Sequence, residues 1–147
     1  MKQKKNNNDV NAAIILSAGK GKRYSNKKIK QYEIISGKSI LEWTLEPFIS
    51  CNLIKHICLV IDKKHIKLIS SKILNNHDIF LAYGGKRRQD SVQSGLELLK
   101  KFNPKYVLIH DAVRPNINKE LLNNVIKNLK KKKAIVPILN IVDSVKK

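Results

Sequence analysis

The sequence predicts an α/β fold, a mostly parallel sheet with helices on both faces. Three observations predict it. Five short apolar runs alternate with stretches whose apolar residues recur at helical spacing. The first run, residues 12–17, is apolar up to its closing Ser17, as a central strand covered on both faces must be. The segments richest in glycine, arginine and aspartate fall just after these runs, where ligands bind in such folds. A chain of 147 residues suits one domain with a real core.

The elements follow in order. A loop over 18–31 succeeds the first strand, and 31–35 reads as a short extended piece closed by a turn at Ser36-Gly37-Lys38. Ser39-Ile40-Leu41-Glu42 is a capping box, with Ser39 capping the first turn and Glu42 reaching back. The helix it opens runs to about Ser50, takes its apolar face from Ile40, Leu41, Trp43, Thr44, Leu45 and Phe48, and meets a kinking residue at Pro47. Residues 56–61 form the second strand, and 62–75 a helix with Ile66, Ile69 and Ile73 at helical spacing. The third strand covers 78–82 and leads through a basic glycine loop, 83–88, into a helix over 90–99. The fourth strand, 106–109, ends at His110-Asp111. Asn118 caps a helix to about Lys130, and the lysines at 130–133 suit its C-terminal dipole. Residues 134–138 are expected to form a fifth strand, and the last nine residues to be extended.

Composition excludes several classes. The apolar runs are too short for a transmembrane helix. Residues 1–9 are basic and Asn-rich without the apolar core of a secretory signal, so 1–10 is expected to be a disordered lead to a domain over 11–147. Cys51 and Cys58 form no CxxC and no zinc-finger spacing, which points to inert thiols in a reduced compartment. The formal net charge of +19 invites a polyanion reading. Yet 26 of the 30 basic residues are Lys, and Ile, Lys and Asn make 61 of the 147 residues, the mark of A/T-rich codon usage. Lysines are scattered and aromatics are 5%, unlike a dedicated nucleic-acid face. The four arginines, Arg23, Arg87, Arg88 and Arg114, all lie in or beside the loops described next. Arginine does bidentate phosphate work that lysine cannot copy.

The first loop, Ser17-Ala18-Gly19-Lys20-Gly21-Lys22-Arg23, follows a buried strand and has no bulky side chain before Lys20. Such a loop lets backbone N–H groups approach a phosphate, which Lys20, Lys22, Arg23 and Lys30 then neutralise. It is not a Walker A sequence, and Tyr24 breaks the dinucleotide fingerprint begun by Gly19 and Gly21. By spacing alone, a plain tight turn fits as well. Gly84-Gly85-Lys86-Arg87-Arg88 precedes a helix, favouring an anion or a polar base edge; an ordinary loop with Asp90 as N-cap is the alternative. His110-Asp111-Ala112-Val113-Arg114-Pro115 offers Asp111 to Mg²⁺ or a hydroxyl and Arg114 to a phosphate; a surface salt bridge is the alternative. His110 reads as structural, and no Ser/His/Asp or Cys/His constellation is apparent.

Taken together, Leu16-Ser17-Ala18-Gly19-x-Gly21-x-Arg23, Lys30-Gln31-Tyr32, Gly84-Gly85 with Arg88-x-Asp90-Ser91-Val92, His110 to Pro115, and Asp143-Ser144 resemble the 2-C-methyl-D-erythritol 4-phosphate cytidylyltransferase family. The motifs stand in family order across 12–147. The resemblance implies a Rossmann-like nucleotidyltransferase fold and a cytoplasmic enzyme of bacterial type, with a plastid location as the alternative. It implies transfer of CMP from CTP to the sugar-alcohol phosphate with Mg²⁺, releasing pyrophosphate. Ribitol-5-phosphate is the alternative substrate; an inactive remnant or a basic polyanion-binding protein are the alternative roles. Residue by residue, it makes Arg23 and Lys30 catalytic, and Ser17, Ala18, Gly19 and Gly21 the CTP loop. Gly85 and Ser91 would read the base, and Asp111, Arg114 and Ser144 would hold the sugar phosphate. The position of Ser144 belongs in the family to an arm reaching a second subunit, which implies a homodimer. Ile29 stands where the family usually has Pro, and Lys86 where an acidic residue is frequent. Family chains run well beyond the point matched by Lys147, so this chain is expected to be an N-terminal portion.

Overall fold

The computed structural model describes residues 11–19 and 29–138. Its centre is β1 (Asn11–Ser17), whose Ala12, Ala13, Ile14 and Ile15 are fully buried. β4 (His56–Ile61) and β6 (Tyr106–Asp111) flank it, and β5 (Ile79–Tyr83) lies outside β4. All three pairings are parallel, and the spatial order is β5-β4-β1-β6. A small antiparallel hairpin, β2 (Ile34–Ile35) with β3 (Lys38–Ser39), stands apart from this sheet.

Because side chains alternate along a strand, β1 feeds two cores. Ala13 and Ile15 pack on one face with Leu41, Leu45 and Phe48 of α1 (Ile40–Ile49) and with Leu122 and Ile126 of α4 (Lys119–Leu129). Ala12 and Ile14 pack on the other with Leu99 of α3 (Arg88–Leu99). Each fully buried Leu or Ile stabilises the fold by roughly 1.5–3 kcal/mol. A Cβ at Gly95 would stand 2.9 Å from Ile14 Cγ2, so this glycine sets how closely α3 approaches β1. The order also explains the faces. Right-handed crossovers that move outward from β1 to β4 put α1 on one side; the crossover from β5 back past β1 to β6 puts α3 on the other.

Several expectations are met. Ser39 caps α1: its Oγ accepts from Glu42 N (3.2 Å) while Glu42 Oε2 accepts from Ser39 N (2.8 Å). Ser36 and Gly37 both take positive φ, the conformation a two-residue hairpin turn demands. Asn118 caps α4, accepting from Leu121 N at 2.8 Å.

Four expectations are corrected. Residues 31–35 are not one extended piece: Lys30–Tyr32 forms a 3-10 turn before β2 begins. The helix expected over 62–75 is a 3-10 segment, Lys63–Leu68, and a single turn, α2 (Ser71–Leu74). Ile69 and Ser70 are extended between them, and Ser70 Oγ is tied to Glu42 Oε1 at 3.0 Å, pinning the break to α1. Ile69 and Ile73 still reach the core, which is why their spacing looked helical. Asp90 is not the N-cap of α3; the helix starts at Arg88, and Asp90 Oδ2 accepts from Arg87 N (3.0 Å). Finally, 134–138 is not a strand: Val136 and Ile138 are 79% and 85% exposed, and Pro137 has no N–H for a ladder.

Candidate functional site

The spatial order β5-β4-β1-β6 reverses direction at β1, so the crevice beyond the carboxyl ends of β1 and β6 is a topological switch point. Ser17, Ala18 and Gly19 leave β1 there. Asp111 leaves β6 in register with Leu16, and Ala112 N donates to Leu16 O at 3.0 Å, holding the two strand ends together. The loop after β5 reaches the same edge. Gly84 N donates to Ile61 O (2.9 Å), and a Cβ at Gly84 would collide with the Ala18 methyl group. Gly84 is needed for that close approach and not for an unusual backbone angle; among the described residues Gly37 is the glycine with positive φ.

The loop over 84–91 is fixed from within. Ser91, 6% exposed, has its Oγ 3.2 Å from Gly85 N, whose N–H donates to it, and 3.4 Å from Arg87 O. Gly85 is packed against the Asp90 Cβ so tightly that no side chain fits. The Arg87 guanidinium donates to Asp90 Oδ1 at 2.8 Å and, with the Arg87 backbone N–H, holds the Asp90 carboxyl below its usual range.

Asp111 sits between two guanidiniums. Its Oδ1 accepts from Arg88 Nη2 (2.9 Å) and its Oδ2 lies 3.1 Å from Arg114 Nε. The salt bridge read from sequence is therefore present, and Arg88 joins it. Arg88 and Arg114 keep 65% and 72% of their side chains exposed, leaving guanidinium edges for an anion. His110 is structural: its Nε2 is 2.9 Å from Arg114 O, and its ring lies 5.4 Å from that of Phe48. Thr44 of α1, fully buried, has its Oγ1 2.8 Å from Ala112 O and so fixes the other side of the loop.

Of the residues singled out from sequence, Ser17, Ala18, Gly19, Gly85, Ser91, Asp111 and Arg114 lie on this one edge. Lys30 opens the 3-10 turn whose next residue, Gln31, bonds back to the end of β1. Gly21, Arg23 and Ser144 lie outside the described residues. Arg88 and Gln31 fall within the segments singled out from sequence, which gave neither an individual role. The clustering of all four arginines at the loops was the available signal for Arg88; nothing marked the polar Gln31 as buried.

Among the described residues no three His, Cys, Asp or Glu side chains gather as a metal cage. Asp62, at the end of β4, is spent capping Lys64 N (3.0 Å). Asp111 is the carboxylate at the switch point. Both of its oxygens are taken by guanidiniums, so Mg²⁺ would depend on substrate phosphates and water for its ligands.

A parallel sheet with glycine loops, two guanidiniums and a carboxylate at its switch point defines a Rossmann-like α/β domain. Within that class, the chain belongs to the 2-C-methyl-D-erythritol 4-phosphate cytidylyltransferase (IspD) family, whose profile it matches over residues 11–147. It is 38% identical over 138 residues to a bifunctional enzyme IspD/IspF of Brucella anthropi, covering 92% of this chain and 34% of the relative. It is 33% identical over 118 residues to the 2-C-methyl-D-erythritol 4-phosphate cytidylyltransferase of Thermotoga neapolitana, covering 80% and 53%. The crystal structure of the Francisella tularensis cytidylyltransferase superposes with a TM-score of 0.68 at 27% identity, covering 84% of this chain and 53% of that one. The bifunctional IspDF of Campylobacter jejuni shares the fold, with a TM-score of 0.77 at 24% identity over 92% of this chain and 35% of that one. The chain thus spans about a third of its bifunctional relatives and about half of the shorter one. No helix among the described residues is long and apolar enough to cross a membrane.

Proposed function

We propose that this chain, as the domain over 11–147, binds CTP at the switch point and transfers CMP to 2-C-methyl-D-erythritol 4-phosphate, releasing pyrophosphate. The observation that carries the reading is convergence: the loops after β1, β5 and β6 meet at one edge, where the Arg88–Asp111–Arg114 bridge joins the last two. Family membership supports the same chemistry.

In this reading the substrate phosphate attacks the α-phosphorus of CTP in line, and pyrophosphate leaves from the opposite side. Catalysis is then positioning and charge stabilisation, with no covalent intermediate on the protein. Ser17, Ala18, Gly19 and Gly21 hold the nucleotide through the backbone. Arg23 and Lys30 offset the charge that develops on the triphosphate. The rigid Gly85–Ser91 loop presents its backbone to cytosine. Asp111 and Arg114, with Ser144, hold the sugar phosphate, and Arg114 keeps an exposed edge for it. Mg²⁺, held by triphosphate oxygens and water, would neutralise phosphate charge. A second copy completes the site through the arm that carries Ser144, in a cytoplasmic homodimer.

A pyrophosphate-release assay with CTP and either sugar phosphate tests the proposal. Turnover with the methylerythritol substrate is expected. A folded chain that binds CTP and turns over neither substrate refutes the enzymatic reading.

A further inference from the structure

Gln31 lies within the candidate site, yet nothing in the reading above gives it a task. It is 3% exposed, although it sits in a short turn beside the crevice. Its carboxamide Nε2 donates to Ser17 O at 2.7 Å and approaches Gly19 O at 3.2 Å. An amide nitrogen has two hydrogens, so both contacts can be made at once. The turn that carries Gln31 is itself fixed, with Tyr32 N donating to Ile29 O (2.9 Å) and Glu33 N to Lys30 O (3.2 Å).

These bonds set the direction of a peptide plane. The Ser17–Ala18 peptide is trans, so its C=O and N–H point in opposite directions. Turning the Ser17 carbonyl onto Gln31 turns the Ala18 N–H the other way. Were the carbonyl to flip, it would present a partial negative charge where a phosphate or base acceptor is to be met. Gln31 also ties Lys30, its immediate neighbour, to the end of β1.

We infer that Gln31 is a positioning residue. It orients the Ser17–Ala18 peptide so that the Ala18 N–H faces the nucleotide, and it anchors Lys30 beside the same loop. The inference rests on the CTP reading given above and names the residue that shapes that site without touching the ligand.

The test is calorimetric titration of CTP, in Mg²⁺ buffer, into the unmodified chain and into Gln31→Met and Gln31→Glu. Gln31→Met keeps the volume and removes the donor, and CTP affinity is expected to fall about tenfold, the effect of losing one or two buried hydrogen bonds. Gln31→Glu is expected to bind more weakly still near neutral pH, because a carboxylate would face two carbonyl oxygens. Its deficit relative to the unmodified chain should narrow as pH falls and the carboxyl regains a proton to donate. A purely structural role would instead lower the melting temperature of Gln31→Glu and leave the CTP affinity of the folded fraction unchanged. Should the variants fail to fold, ¹⁵N spectra of the unmodified chain decide: the Ala18 amide is expected to shift on CTP addition. Unchanged affinity in Gln31→Met, or an Ala18 amide blind to saturating CTP, overturns the inference alone. An unmodified chain that binds no CTP overturns the functional reading and this inference with it.

Discussion

Arg88, at the start of α3, places its Nη2 2.9 Å from Oδ1 of Asp111, at the end of β6. This bond joins two loops that are 23 residues apart in sequence and carry different parts of the proposed site. Arg114 takes the second carboxylate oxygen at 3.1 Å. Asp111 therefore fixes the spacing of two guanidiniums as well as offering its own charge.

Asp111→Asn is expected to leave thermal stability nearly unchanged, since largely exposed ion pairs contribute about 0–1 kcal/mol. Affinity for the sugar phosphate, measured by titration in the presence of CTP, should fall about tenfold or more through loss of charged hydrogen bonds. Arg88→Gln should reproduce most of this loss, and the double variant should add little to it. Additive losses in the double variant argue against the bridge as a unit.

Gly84→Ala should weaken CTP binding more than it weakens the fold. The added methyl meets Ala18 Cβ, on the loop after β1, and one of the two loops must yield. The same change at Gly37, in the β2–β3 turn, serves as the contrast: φ there is +80° and an added Cβ meets nothing within 4 Å, so Ala strains the hairpin turn without touching the loop. Parallel melting curves and CTP titrations separate the two effects.

The capping box of α1 gives a stability prediction with a defined pH sign. Ser39→Ala removes the cap and is expected to cost about 1 kcal/mol. The hydrogen bond from Ser39 N, followed by those from Ser39 Oγ and Ser70 and by the charge of Lys72, holds the Glu42 carboxyl below its ordinary value against the pull of desolvation. A depressed carboxyl adds stability above its unfolded pKa of about 4.3, and this is lost as pH falls through the folded value. Glu42→Gln should therefore be less stable than the unmodified protein at neutral pH, and the gap should close under acid. Denaturant melts at a series of pH values would show a constant gap if the box contributes nothing.

Cys58 is fully buried on the α3 face of the sheet, and burial pushes its thiol up to about 12. It should resist alkylation in the folded protein and react once the chain is unfolded. Cys51, also buried, lies 3.6 Å from Asn123 Oδ1 and is expected to be shielded in the same way. Rapid labelling under native conditions at either position would mean that the sheet opens far more readily than its packing implies.

The legible parts of the fold were those where one physical signal dominates. The unbroken apolar stretch before Ser17 announced a central strand, and Ser39 with Glu42 announced a helix start. Where signals compete, the sequence misled. Ile66, Ile69 and Ile73 have helical spacing, but the Ser70–Glu42 bond, made across 28 residues, breaks the helix. The apolar stretch at 134–138 reads as a strand only if something pairs with it. In the site, the glycines and Asp111 were legible because backbone approach and charge leave local marks. The partners of Gln31 and Arg88 were not, because they are carbonyls and a carboxylate that folding brings near from elsewhere.

The central claim is that the switch-point edge is a CTP site and not a general polyanion surface. Titration of CTP into the chain, with and without Mg²⁺ and with Arg23→Ala as the comparison, tests it most directly. The account predicts saturable, Mg²⁺-dependent binding that Arg23→Ala abolishes. A folded chain that ignores CTP, yet binds oligonucleotides with a steep salt dependence that survives Arg23→Ala, would contradict it.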